Sequence, residues 1–382
     1  MVAAFVNKNR RHILFVIVGI SAGTGTFCKS LGSGLRKLYG HEFKVSLLTF
    51  RADARKPENA SSFDESHALA SEVHDDWRRA VELPISAMRL RQAVGDIRPD
   101  LVFSIGTFAN VVSSLAIDGV PVVLSDHLNM THRLRGATFG RITRWFMRRA
   151  YPGRLMVVAS HELAEDLKRN FGVTRAVVIP NGIDASIVRR RAGEQPPPAV
   201  GHLAWRYFIC VGRLTTQKDI ATLLRAFAIA RQHGLGDDLV IAGDGEQRAM
   251  LENLARELGI AGATHFLGHC PNPYPLIRGA RGLVLSSIWE GFAYVPIEAM
   301  ALGVPVIATA CPSGPVEILG HGEYGILVPP RDPHKLAQAI LRLATSDELH
   351  RHLAARALGR AEQLSIENMA RQYRDLFMAE MS

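Results

Sequence analysis

The sequence predicts an α/β chain made of two doubly wound halves, and three observations carry that expectation. Short, continuous runs of Val, Ile and Leu recur along the 382 residues. They lack clean apolar/polar alternation, as strands covered by helices on both faces do. Polar, helix-compatible stretches separate several of them, as a doubly wound sheet requires. Near the middle, residues 189–198 read Arg-Arg-Arg-Ala-Gly-Glu-Gln-Pro-Pro-Pro. Charge followed by three prolines is a stiff linker. A chain of this length divides comfortably into two domains.

The first half opens with Lys8, Arg10 and Arg11 ahead of an apolar run at 13–18. That order imitates a secretory leader. The run is short, however, and a Gly/Thr stretch follows in place of a small-residue cleavage site, so the reading is a first buried strand. Further strands are expected at 44–50, 101–105, 120–125, 155–160 and 176–179. The stretch from Gly19 to Ser30 reads as a glycine-containing loop. It nearly spells a mononucleotide P-loop and nearly spells a dinucleotide fingerprint, but Cys28 stands where each needs glycine. The loop still offers free backbone N–H groups to an anion, with Gly23 as the candidate position. Ser125-Asp126-His127-Leu128-Asn129 closes another strand, which sets His127 at a carboxyl end, where open α/β sheets bind ligands.

Residues 132–154 hold seven arginines (133, 135, 141, 144, 148, 149 and 154) and no acid. Phe139, Ile142, Phe146 and Ala150 fall at helical spacing, and Arg141, Arg144 and Arg148 share another face. Two readings stay open: a basic amphipathic helix on an anionic membrane surface, or a solvated face over a core stripe. The second half repeats the alternation, with strands expected at 207–211, 238–242, 264–267, 282–287, 304–308 and 325–328. The tail from Ser365 to Phe377 is amphipathic and opens on an N-cap candidate.

Composition narrows the function classes. Net charge is +9, but the first 190 residues carry 27 Lys and Arg against 17 Asp and Glu, while the rest is near balance. The first half is therefore expected to meet something anionic. No aromatic-interleaved basic surface or known motif points to nucleic acid. Cys28, Cys210, Cys270 and Cys311 form no C-x-x-C pair, as free thiols in a reducing compartment would be. No stretch reaches the roughly 18 to 20 apolar residues of a membrane span.

The chemistry concentrates at 282–307. A strand run, Gly282 to Ser287, ends in a loop carrying Glu290, Gly291 and Phe292. A short helix is expected to open at Pro296, to carry Glu298 in its first turn and to stop at Gly303. Upstream, Val211-Gly212-Arg213-Leu214-Thr215-Thr216-Gln217-Lys218 places two cations in the loop after a strand. A departing diphosphate needs a metal or fixed cations to stabilise it. The chain has no D-x-D and no H-E-x-x-H, whereas Arg213 can fork two phosphate oxygens and Lys218 can add a point charge.

Glu290 and Glu298, with the sequence on through Thr309 to Leu319 and the 211–218 motif, resemble the E-x7-E signature of the family 4 retaining glycosyltransferases. The resemblance runs over roughly residues 11–380. It implies a GT-B fold, with two Rossmann-like domains facing a cleft and a last helix crossing back to the first. The implied domains are 1–188 on the acceptor side, 199–362 for the nucleotide sugar, and 363–382 for the returning helix. It further implies transfer from a nucleotide sugar, UDP-linked, to a glycan or lipid-linked acceptor of surface polysaccharide. Retention, no metal or other cofactor, and a cytoplasmic place with a membrane-peripheral face complete that expectation. The resemblance makes His127 and Glu290 the catalytic candidates. Gly23, Arg213, Lys218, Gly291, Phe292 and Glu298 become donor-binding candidates, with Glu298 on the ribose diol. The usual glycine after Phe292 is Ala293 here, which leaves the donor sugar open. The 243–246 turn reads equally as a plain turn or a diphosphate neighbour. A nucleotide-sugar 2-epimerase of the same fold and a non-catalytic two-domain binding protein are the alternatives.

Overall fold

The computed structural model describes residues 10–20, 22–51, 62–69, 78–134, 140–195 and 206–382. Lys8, Arg135, Phe139, Pro196, Pro197 and Pro198 lie outside them. The chain forms two compact units, one of 1–182 with Ile366–Ser382 and one of Ile183–Ser365. The expected boundaries at 188 and 363 thus move to the Gly182/Ile183 and Ser365/Ile366 junctions.

In the first unit the strands are β1 (Arg11–Ile17), β2 (Phe43–Thr49), β3 (Glu65–Ala68), β4 (Leu101–Ile105), β5 (Val122–Asp126), β6 (Leu155–Val158) and β7 (Arg175–Val178). All pair in parallel, in the order β3-β2-β1-β4-β5-β6-β7. β3 was not legible as a strand. Its Glu-Ser-His-Ala sequence is polar because it forms one edge of the described sheet and no side chain on it is fully buried. The helices are α1 (Ala22–Tyr39), α2 (Arg78–Ile97), α3 (Thr107–Ala116), α4 (Met130–Leu134), α5 (Gly140–Ala150) and α6 (His161–Phe171).

α1 corrects the expectation of a loop from Gly19 to Ser30. The chain is already helical from Ala22, and Cys28 is a fully buried helix residue. Glycine content suggested a loop, yet Gly25 is there for space: a Cβ on it would lie 2.8 Å from the Ile20 carbonyl carbon.

In the second unit the strands are β8 (Tyr207–Val211), β9 (Asp238–Ala242), β10 (Thr264–Gly268), β11 (Gly282–Leu285), β12 (Val306–Thr309) and β13 (Ile326–Val328). They pair in parallel in the order β10-β9-β8-β11-β12-β13. The same winding thus appears in both units, with one additional described strand in the first. The helices are α7 (Ala185–Arg191), α8 (Ile220–Gln232), α9 (Arg248–Glu257), α10 (Tyr274–Gly279), α11 (Tyr294–Ala301), α12 (Pro315–Ile318), α13 (Pro333–Thr345) and α14 (Asp347–Gln363).

Two further readings need correction. Arg189, Arg190 and Arg191 are not linker but the last turn of α7, which Asp184 caps through the Ser186 and Ile187 N–H groups. Arg189 Nε donates to the Ala301 carbonyl and Arg191 to that of Pro271, so α7 is stitched into the second unit. In α11, Pro296 is the third helical residue and not the first, which moves Glu298 past the first turn.

The last helix, α15 (Ile366–Glu380), belongs to the first unit, as the returning helix should. Its buried face holds Ile366, Met369, Ala370, Tyr373 and Phe377. Phe103 of β4 meets the Tyr373 ring edge-on at 5.4 Å and the Phe377 ring at 5.2 Å.

Candidate functional site

The second unit builds a site where its winding reverses. From β8 the chain proceeds through α8 to β9 on one side, and from β11 through α11 to β12 on the other. The loops after β8 and β11 both leave the sheet at that switch point, at the carboxyl ends where open α/β sheets bind ligands. Hydrogen bonds sew them together. Ile288 N–H donates to the Gln217 carbonyl at 2.9 Å, Ser286 Oγ to that of Lys218 at 2.8 Å, and Gln217 Nε2 to that of Trp289 at 3.0 Å.

Glu290 hangs from this seam. It is 5 % exposed. Lys218 Nζ donates to its Oε1 at 2.6 Å, Ser287 Oγ donates to the same oxygen, and Gln217 Nε2 reaches Oε2 at 3.3 Å. Thr309 Oγ1 donates in turn to the Ser287 carbonyl. A buried carboxylate is tolerated only when paired and hydrogen-bonded in this way. Lys218 keeps two more N–H donors beyond the one spent here. Arg213, in the same loop, is exposed, and its guanidinium pairs with no described residue. The Gly291 and Phe292 N–H groups likewise find no acceptor among the described residues, while the Phe292 ring is buried. What Phe292 offers a ligand is its backbone.

The 243–246 turn owes its first glycine to packing. A Cβ on Gly243 would lie 1.8 Å from the Gly212 carbonyl oxygen, and Leu214 N–H donates to the Asp244 carbonyl at 2.9 Å. The two strand-end loops therefore run backbone to backbone.

Glu298, on α11, differs from Glu290. It is partly buried, and Tyr274 Oη donates to its Oε1 at 3.0 Å. Among the described residues no cation pairs with it directly. Burial pushes its carboxyl up to about 7, against the opposing pull of the Tyr274 hydroxyl and the Arg191 charge.

In the first unit, His127 directly follows β5 and is 7 % exposed. Its Nε2 lies 3.0 Å from Ser125 Oγ, its ring packs on Phe27 with centroids 4.0 Å apart, and its enclosed Nδ1 has no partner among the described residues. Burial holds its pKa down to about 3, so the ring is neutral. Asp126 beside it accepts from Thr107 Oγ1, Tyr151 Oη and the His127 N–H. Burial raises its pKa. Gly23 sits in the first turn of α1, where a Cβ would meet nothing within 4 Å. Its candidacy rests on the helix terminus and not on a need for glycine.

Residues 21–187 match the family described as Glycosyltransferase Family 4, and residues 204–360 match Glycosyl transferases group 1. The chain belongs to glycosyltransferase family 4. It is 29 % identical over 299 residues to an exopolysaccharide phosphotransferase of Streptomyces coelicolor, covering 77 % of this chain and 30 % of that protein. It is also 29 % identical over 209 residues to an N-acetylgalactosamine-N,N'-diacetylbacillosaminyl-diphospho-undecaprenol 4-alpha-N-acetylgalactosaminyltransferase of Campylobacter jejuni, covering 54 % of this chain and 55 % of that one. The chain thus spans only part of the length of these curated relatives. Among solved structures, Anabaena HepE in complex with UDP superposes with a TM-score of 0.76 at 20 % identity, over 97 % of this chain and all of that one. That likeness establishes the fold, the GT-B architecture expected.

Lys218, Glu290, Gly291 and Phe292 are thus neighbours in one seam, with the exposed Arg213 in the same loop as Lys218. His127 and Gly23 stand in the other unit. Sequence reading missed Gln217, Ser287, Tyr274 and Arg191. Gln217 and Ser287 lay inside quoted motifs and only their roles were hidden. Tyr274 is 24 residues from Glu298, and nothing local marks it.

Proposed function

We propose that this family 4 member transfers a sugar from a UDP-sugar to a glycan or lipid-linked acceptor in polysaccharide synthesis, with retention and with fixed protein cations in place of a metal. The observation that carries it is the hydrogen-bonded seam of the loops after β8 and β11. It offers an Arg213 and two backbone N–H groups without partners among the described residues, a Lys218 with spare donors and a buried, hydrogen-bonded Glu290. Arg213 and Lys218 take the diphosphate, whose charge grows as the sugar–oxygen bond breaks. Glu290 and the Gly291 and Phe292 N–H groups hold sugar hydroxyls, and Glu298 accepts from the ribose diol. In the first unit, neutral His127 is the candidate to donate to or accept from the sugar, and Gly23 the candidate to lend its N–H at the start of α1. The leaving phosphate helps deprotonate an acceptor arriving on the same face. The UDP carried by HepE and the diphospho-undecaprenol acceptor named for the Campylobacter relative support the donor and acceptor classes.

α5 supplies the membrane side of this reading. Ile142 is 45 % and Trp145 55 % exposed, so Ile142 leaves the buried stripe expected of it. Both lie among the exposed Arg141, Arg148 and Arg149. An apolar pair framed by arginines suits an anionic bilayer surface on the cytoplasmic side. Among the described residues no helix is long and apolar enough to cross a membrane.

Thermal unfolding against UDP, GDP, ADP, ATP and NAD, with magnesium and with EDTA, tests the donor reading. A ligand at 100 times its Kd adds about 2.7 kcal/mol. A UDP-selective shift that survives EDTA and is lost in Arg213→Ala is expected. A shift with ATP or NAD alone overturns it.

A further inference from the structure

Glu298 is the less secured of the two carboxylates, and what orients it lies outside every motif. Tyr274 opens α10, and its hydroxyl donates to Glu298 Oε1 at 3.0 Å. Glu298 Oε2 accepts from no described residue. The tyrosine is itself fixed from behind. The Arg191 guanidinium lies over its ring, 5.1 Å from the centroid, and donates to the Pro271 carbonyl at 3.1 Å. Asn272 ties the same corner down, donating to the Arg191 carbonyl and to Glu194 while its Oδ1 accepts from the Tyr274 N–H. Such a platform lets a long side chain be held in one rotamer by a single hydrogen bond.

We propose that Tyr274, backed by Arg191, is a positioning residue for the donor: its hydroxyl fixes Glu298 through Oε1, with Oε2 left to receive the ribose diol. This rests on the reading of Glu298 as the ribose ligand. A hydroxyl hydrogen bond to a carboxylate favours the charged, acceptor-only form. Burial opposes that form, and among the described residues Tyr274 on α10 and Arg191 on α7 are the titratable or charged groups that counter it. Tyr274 remains a protonated donor, since burial and Glu298 both raise its own pKa. Removing the hydroxyl therefore raises the pH at which Glu298 ionises, and neutral Glu298 is the poorer acceptor.

The experiment is UDP binding by calorimetry from pH 6.5 to 9.5 for the intact chain and for Tyr274→Phe, Arg191→Met and Glu298→Gln. Thermal unfolding without ligand checks that each variant folds. For Tyr274→Phe, Kd is expected to rise about 2- to 5-fold at pH 7, the scale of up to one pKa unit for a carboxyl half ionised there. The rise should shrink toward nothing by pH 9.5, where Glu298 is ionised regardless. Arg191→Met should move the profile the same way, because it too removes a group that favours the carboxylate. Glu298→Gln should weaken binding and lose this pH dependence. An equal loss for Tyr274→Phe at pH 7 and 9.5 would mean direct contact with the nucleotide, and no loss at either would mean packing alone; each overturns the proposal. If Glu298→Gln binds UDP like the parent at every pH, the ribose reading itself fails, independently of Tyr274.

Discussion

The strand-end groups of the two units solve the burial of polar side chains differently. In the first, neutrality does the work: His127 is held uncharged by burial, and Asp126 is satisfied by hydroxyl and backbone donors. In the second, charge meets charge: Lys218 and Glu290 pair at 2.6 Å with side chains 18 % and 7 % exposed. A neutral group is comparatively cheap to bury, whereas a charge requires a partner fixed in advance. The second arrangement would suit the diphosphate proposed for this seam, whose charge grows as the sugar–oxygen bond breaks.

The sharpest way to break this contrast is Lys218→Met. It strands Glu290 as an uncompensated buried charge and is expected to cost about 3 kcal/mol or more of stability, together with UDP affinity. Denaturant unfolding should show the loss, and Lys218→Met with Glu290→Gln should restore most of the stability but none of the binding. If the single variant is as stable as the parent, the pair is not what secures the seam.

Glu298→Gln tests the intermediate case, a carboxylate without a direct cation. Its folded pKa, raised to about 7, lies above its ordinary value of 4.5. Its contribution is therefore favourable below pH 4.5 and is lost as pH rises toward 7. The Gln variant should then exceed the parent in stability by about 1–3 kcal/mol at pH 8, an upper-range figure for a partly exposed group. The gain should vanish by pH 4.5. A variant no more stable at pH 8 would show that water reaches Glu298 freely.

His127→Gln probes the neutral side. The histidine pKa falls from 6.5 to about 3, so its contribution is present above pH 6.5 and is lost as pH drops toward 3. Between those limits the parent should lose about 1.4 kcal/mol per pH unit more than the variant. Equal acid slopes would mean that the ring is protonated in place.

The smallest stability effect belongs to the surface. Arg141→Gln with Arg148→Gln should change stability by no more than about 0.5 kcal/mol. The same variant should bind vesicles of phosphatidylglycerol more weakly, with phosphatidylcholine vesicles as the reference in co-sedimentation. Unchanged binding would return α5 to a solvated face.

Much of the fold was legible because its signals are local. β4, β8 and β9 coincide with the expected runs, since a strand buried on both faces must be apolar throughout. β3 escaped because a polar edge strand carries no such run. Residues 22–30 misled because glycine suggests a loop wherever a helix has other reasons for it. Of the site, the placement of Arg213, Lys218 and Glu290 at strand ends was readable. The burial of the Phe292 ring and the exposure of Ile142 were not.

The sequence by itself determined two windings, their strand ends and the residue types that stand there, because periodicity and loop position are properties of neighbouring residues. Only tertiary structure decided that Lys218 closes on Glu290 across 72 positions, that Tyr274 reaches Glu298, and that His127 lies enclosed against Phe27. Those pairings depend on which strands lie side by side and how deeply each group is taken from water. Burial and long-range adjacency set the charge states, and no local pattern encodes them.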